Sequence, residues 1–250
     1  MSSDPWRIYD LLIERACSEE LVRHVLLGLN WTLVEARATG LCFSPVAPRT
    51  LEWPGTLRGR SSSELAGWLR SSDEVAASVG LAVVNAMLNG PANELVNRAV
   101  PLVNAAPPHL AVFRHFTKLV EGANVVVIGR YPGLELLWSQ EDYLCLERRP
   151  LPGTVPESAA ADVLPGADWV FVTASSLANH SLPELLELSH RARVVLMGPS
   201  LPWLAEWADF GVDYVAGVGV YDPARLLQIA AEGGGTRIFE SAVGYRLLEI

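Results

Sequence analysis

Val125-Val126-Val127-Ile128 is an unbroken apolar run that ends on Gly129. Successive side chains of a strand point to opposite faces, so such a run must be covered on both sides, as in the centre of a parallel sheet. Tyr143–Glu147, Trp169–Thr173, Val194–Met197 and Tyr214–Val218 have strand character too. Helices fit between the later ones. Ser181-Leu-Pro-Glu184 has the spacing of a capping box and opens a helix to His190, and Asp222-Pro223 sets an N-cap before a proline in the first turn. This alternation predicts a parallel, Rossmann-like sheet with right-handed crossovers.

The first half reads differently. Ile8, Leu11, Leu12 and Ala16 recur at helical spacing within Trp6–Cys17. Val22–Leu27, Trp31–Ala36 and Thr39–Ser44 are β-type runs too closely spaced for crossovers, which predicts an antiparallel meander. Residues 45–60 are a proline- and glycine-rich loop. Ser61 and Glu64 have capping-box spacing, and a helix over Asp73–Asn89 carries a stripe of Ala76, Ala77, Gly80, Leu81, Val84 and Leu88 before Gly90-Pro91 stops it. Residues 91–109 read as a linker and Leu110–Val120 as a helix. The expected class is α/β: an α+β domain over 1–105, then a Rossmann-like parallel-sheet domain over 106–250.

Composition excludes several classes. No apolar run approaches the roughly 18 residues a membrane span needs, and the start lacks a basic region followed by an apolar core. Cys17, Cys42 and Cys145 are far apart and form no CxxC pair, against a disulfide framework or a structural zinc site. A cytoplasmic setting is expected. Net charge is −9 and neither half is basic, so nucleic acid is a poor partner. Lys118, the only lysine, reads as solvent-facing.

In an open parallel sheet, ligands bind outside the carboxyl ends of the strands, where strand order reverses. Those ends here are Gly129-Arg130-Tyr131-Pro132-Gly133, then Thr173-Ala-Ser175-Ser176 continuing to Asn179-His180, then Gly198-Pro199-Ser200. The first is not GxGxxG, and Pro132 removes an amide donor, so a dinucleotide fingerprint is absent. Glu147 stands where Rossmann proteins place a ribose-binding acid, or is an exposed strand-end glutamate. Ser200 is read as the cap of a helix carrying Trp203 and Trp207, its N-terminus suited to an anion. Of five scattered histidines only His180 falls at the expected crevice, as a general acid or base or as a capping residue; no HxxxH or HExxH pair predicts a metal. No GxSxG elbow or P-loop occurs. Asn85, the polar exception in its helix, needs a partner: a loop carbonyl, or a ligand in an interdomain cleft.

Ser78-Val-Gly80-Leu-Ala82-Val-Val-Asn85-Ala86, Val127-Ile-Gly129-Arg-Tyr-Pro132, Glu147-Arg-Arg-Pro150, Thr173-Ala-Ser-Ser-Leu177-Ala-Asn179, Gly198-Pro-Ser200, Ala216-Gly-Val218 and Asp222 occur in the order seen in a family named for heavy-metal chelation. That family is domain of unknown function 364 with a 4213 domain at its N-terminus, and the chain resembles it over nearly its whole length. The resemblance implies an enolase-N-terminal-like α+β domain, a Rossmann-like domain and a site between them. It also implies a link to metal homeostasis or to pterin-, flavin- or chelator-like molecules. This chain departs at His180, where the family usually has glycine, and it adds no Cys/His cluster for a soft metal.

These readings converge on an enzyme or binder of a small anionic or heterocyclic metabolite, its cofactors unknown. An S-adenosylmethionine-dependent methyltransferase is the second reading, weakened by the missing glycine cluster. A non-catalytic metallochaperone or sensor is the third. The oligomeric state, a homo-oligomer included, stays open.

Overall fold

The computed structural model describes residues 4–46, 56–103, 106–149 and 151–250. The middle of the 45–60 loop, two residues of the 91–109 segment and Pro150 fall outside that range.

Helix α1 (Arg7–Ala16) leads into an antiparallel meander of β1 (His24–Leu27), β2 (Trp31–Glu35) and β3 (Thr39–Phe43). Helix α3 (Glu74–Leu88) packs on it, and α2 (Ser62–Ala66) packs on α3 and α1. Asp73 caps α3 by accepting from the Val75 N–H at 2.8 Å. Ser61 caps α2, but the Glu64 carboxylate turns to Arg60, so only half of the expected box forms. An apolar stripe was expected on α3; instead Val75 to Met87 is buried all round, because the meander covers one side and α1, α2 and a loop of the second half cover the rest. The meander approaches so closely that a Cβ on Gly40 would stand 2.0 Å from the Ala82 carbonyl oxygen.

Past α4 (Glu94–Arg98), the short β4 (Val100–Pro101) and α5 (Ala111–Phe116), the second half builds one large sheet. Its strands are β5 (Val125–Ile128), β6 (Leu144–Glu147), β7 (Val155–Pro156), β8 (Trp169–Thr173), β9 (Arg193–Met197), β10 (Tyr214–Val220) and β11 (Val243–Glu249). The order is β4-β11-β10-β9-β8-β5-β6-β7. From β10 to β7 every pair is parallel, while β11 runs antiparallel to β10 and to β4. All four residues of β5 are buried, as its apolar run requires. The connecting helices are α6 (Ala160–Val163), α7 (Leu182–Leu188) and α8 (Pro223–Ala231), the last capped by Asp222, which accepts from the Arg225 N–H at 2.9 Å.

Four expectations need correction. The 91–109 segment is not plain linker, since it holds α4 and β4. Ser181 does not cap α7 through its side chain. Ser200 caps no helix, because the chain after it runs irregularly to Leu204 before a 3₁₀ helix over Ala205–Phe210. Trp203 therefore precedes the helical turn that carries Trp207, and both are buried.

One apolar cluster joins Ile8, Leu12, Val79 and Val83 of the first half to Val126, Ile128, Val170 and Leu196 on one face of the large sheet. A second joins Trp31, Leu33 and Leu41 to the opposite face. The first half thus continues the core past the carboxyl ends of the parallel strands and caps them.

Candidate functional site at the strand-order reversal

The strands run β5-β6-β7 to one side and β8-β9-β10 to the other, so order reverses between β5 and β8. Gly129 and Thr173 follow those two strands. Gly129 has φ +90°, and a Cβ there would stand 2.9 Å from Thr173 Cγ2. A side chain would be strained by backbone conformation and by contact together. The Thr173 hydroxyl lies 2.9 Å from that of Ser175. On the next strand end Gly198 has φ +118°, and the point its Cβ would occupy lies 3.8 Å from the Tyr131 hydroxyl and 3.9 Å from Thr173 Oγ1. Gly129, Tyr131, Thr173, Ser175 and Gly198 are therefore brought together.

Tyr131 packs edge-on against Phe113, with ring centroids 4.8 Å apart. Its hydroxyl is buried without a hydrogen-bond partner among the described residues. Burial pushes its pKa above the ordinary tyrosine value, and the nearby Thr173 hydroxyl pulls the other way. Pro132 is exposed, and its carbonyl accepts from His109 Nε2 at 2.8 Å. Glu147 joins two loops: one carboxylate oxygen accepts from the Arg130 N–H at 3.0 Å, the other from the Arg149 N–H at 3.3 Å. Pro199 is half-buried beside Gly198.

Three other expected residues serve the seam between the halves. Asn85 is fully buried and does not reach an open cleft. Its Nδ2 donates to the Leu41 and Ser200 carbonyls at 2.7 and 2.9 Å, and its Oδ1 accepts from Asn89 at 3.2 Å. The Ser200 hydroxyl accepts from the Phe43 N–H at 2.9 Å, which is its role in place of a helix cap. His180 adopts φ +64°, its Nε2 donates to the Leu69 carbonyl at 2.8 Å, and its ring meets Trp6 and Tyr9 edge-on at 5.2 and 5.1 Å. That ring fastens the loop after β8 to the first half; nothing in its contacts aims it at the switch-point hydroxyls. Asn179 accepts from the Ser181 N–H at 3.0 Å and turns the same loop.

Sequence reasoning missed the partners of this seam. Asn89 donates to the Leu201 carbonyl at 2.8 Å and accepts from the Trp203 N–H at 2.9 Å, and Asn93 donates to the Trp203 carbonyl at 2.9 Å. Asn85, Asn89 and Asn93 are spaced by four, which was the available signal. Arg148 pairs with Glu74 at 2.8 Å, tying the loop after β6 to the start of α3. Glu157 stands near Arg148; burial raises its pKa, and Arg148 opposes that.

A cavity of about 400 Å³ opens elsewhere, beside the amino ends of β5 and β6, lined among others by Asn124, Gln140, Asp142 and Tyr143. None of the expected site residues lines it. The strand-order reversal is the stronger candidate, because side-chain-free backbone and an unpartnered hydroxyl meet there.

The fold and site define a two-part α/β protein whose Rossmann-type sheet is capped at its carboxyl ends by a meander-and-helix unit. The model of the family DUF364 matches residues 111–249, and that of DUF4213 matches residues 9–88, each described as "Putative heavy-metal chelation". The chain belongs to the DUF364 family. It is similar to a DUF364 protein of unknown function from Desulfitobacterium hafniense DCB-2, with 30% identity, 98% of each chain covered and a TM-score of 0.84. A DUF364 protein of unknown function from Pyrococcus horikoshii shares the fold at 20% identity, with 98% of this chain and 99% of that one covered and a TM-score of 0.78. No curated protein matches.

Proposed function

We propose that the protein binds a small organic metabolite, anionic or heterocyclic, in the crevice at Gly129–Pro132, Glu147, Thr173–Ser175 and Gly198–Pro199. The observation that carries this reading is the meeting of two positive-φ glycines with the hydroxyls of Tyr131, Thr173 and Ser175 at the point where strand order reverses.

The family description raises direct metal chelation, and the donor set does not fit it. Among the described residues no group of three or more His, Cys, Asp or Glu is placed to hold a metal ion. Burial pushes the Cys42 thiol up to about 12 and the Cys145 thiol up to about 11, away from the thiolate a soft metal needs. In this reading any metal is handled within an organic molecule.

The test is mass spectrometry of small molecules released on denaturing the purified protein, together with melting curves against a metabolite panel. A ligand at 100 times its dissociation constant should add about 2.7 kcal/mol. A chain that releases nothing and responds to no organic molecule would overturn the reading.

A further inference from the structure

We propose that the crevice takes its ligand by an acid group, a carboxylate or a phosphate, seated among the hydroxyls of Tyr131, Thr173 and Ser175 above Gly198. This rests on the reading that the crevice binds a small metabolite, and it names the part of the molecule that is recognised.

Three observations carry it. Among the described residues, the Tyr131 hydroxyl is the only one of the three with no partner, although it is shielded from solvent. A buried hydroxyl left unpaired costs stability, so a partner supplied by a ligand is the economical explanation of its placement. Thr173 occupies the N-cap position of the 3₁₀ turn over Ala174–Leu177, yet its side chain does not cap that turn. It bonds to Ser175 and lies, with the Tyr131 hydroxyl, within 3.9 Å of the point above Gly198. Glycine keeps that point free of side chain. Thr173, Ser175 and Pro199, which border that point, are half-buried.

The charges decide the sign. Arg130 and Arg149 flank the crevice in the chain, are exposed, and form no ion pair among the described residues. Glu147, which ends β6 beside Arg149, already accepts from two backbone N–H groups. Arg148 and Glu74 neutralise one another. Unpaired positive charge with several hydroxyl donors suits a group that accepts hydrogen bonds through more than one oxygen.

The experiment titrates the full chain with citrate, with inorganic phosphate and with zinc chloride, following heat of binding and melting temperature. It is repeated on Tyr131→Phe and on the double variant Tyr131→Phe, Thr173→Val. Citrate or phosphate should bind the wild type, and each variant should lose about tenfold or more, the size of one hydrogen bond to a charged group. A response to citrate alone identifies a carboxylate, and to phosphate alone a phosphate. Should the double variant not fold, Tyr131→Phe keeps the ring against Phe113 and carries the test. Equal binding by wild type and variants overturns the inference. So does binding of neither anion while the protein releases a neutral or cationic molecule, and that outcome leaves the crevice reading intact. If no organic molecule binds at all, both fail.

Discussion

Asn89 and Trp203 are tied through the backbone: Asn89 Oδ1 accepts the Trp203 N–H at 2.9 Å while its Nδ2 donates to the Leu201 carbonyl at 2.8 Å. The loop after β9, which carries Gly198, is thereby held by a helix of the other half. Its shape is set before any ligand arrives.

Asn85→Ala should therefore act on stability. It leaves the Leu41 and Ser200 carbonyls unpaired in a buried seam. The expected cost is about 3 kcal/mol, read from urea unfolding. Affinity per folded molecule should fall far less than in Tyr131→Phe, and the reverse ordering would return Asn85 to the ligand.

At His180 two effects oppose one another. Its left-handed backbone (φ +64°) favours glycine, while its ring holds Leu69, Trp6 and Tyr9. His180→Ala keeps the backbone strain and loses the contacts, whereas His180→Gly loses the contacts but relieves roughly 1 kcal/mol of strain. Stability should rank wild type, then glycine, then alanine. An alanine variant as stable as the glycine one would show that the backbone there is unstrained.

Gly129→Ala should cost about 2 kcal/mol or more through positive φ and collision with Thr173 Cγ2. Thr173→Ser removes that methyl group. In the Thr173→Ser background the penalty should shrink without vanishing, since the φ strain remains. A double-mutant cycle measures the difference.

Glu157 gives a pH dependence with a definite sign. Burial raises its folded pKa above the unfolded value, so the folded state holds the proton more tightly. Stability from this group grows as pH falls through the folded pKa and is lost above it. Glu157→Gln should melt higher than wild type at pH 7, and the gap should close on acidification. A gap that widens toward low pH would mean that attraction to Arg148 outweighs burial.

Extensive dialysis against a chelator should leave the melting temperature unchanged, because among the described residues no ligand set is placed to join metal binding to folding. A drop of many degrees, restored by one metal, would require ligands that side-chain geometry does not reveal.

Much of the fold was legible because its signals are local. Val125–Ile128 announced a strand covered on both faces, the short spacings around β1 to β3 announced a meander, and Asp73 and Asp222 marked helix starts. β11 went unread: its alternating burial is the weaker pattern of an antiparallel strand, and it pairs with β4 far away in the chain. The site divided in the same way. The rule that ligands bind at the carboxyl ends of parallel strands led to Gly129 and Thr173, whereas the reversal between β5 and β8 depends on a strand order that alternation does not fix. Whether Asn85, His180 and Ser200 faced a ligand or a neighbouring backbone depended on partners 44 to 157 positions distant. Polar residue types at suitable positions cannot distinguish a seam from a pocket.

β4 lies on the N-terminal side of residue 105 yet forms the outer edge of the large sheet, next to β11. A chain severed between Val103 and Ala106 would strip that edge, baring the unsatisfied amides and carbonyls of β11 to any passing strand. Residues 106–250 expressed alone should consequently self-associate, and grafting this Rossmann-type half onto a foreign partner calls for carrying Val100–Pro101 along with it.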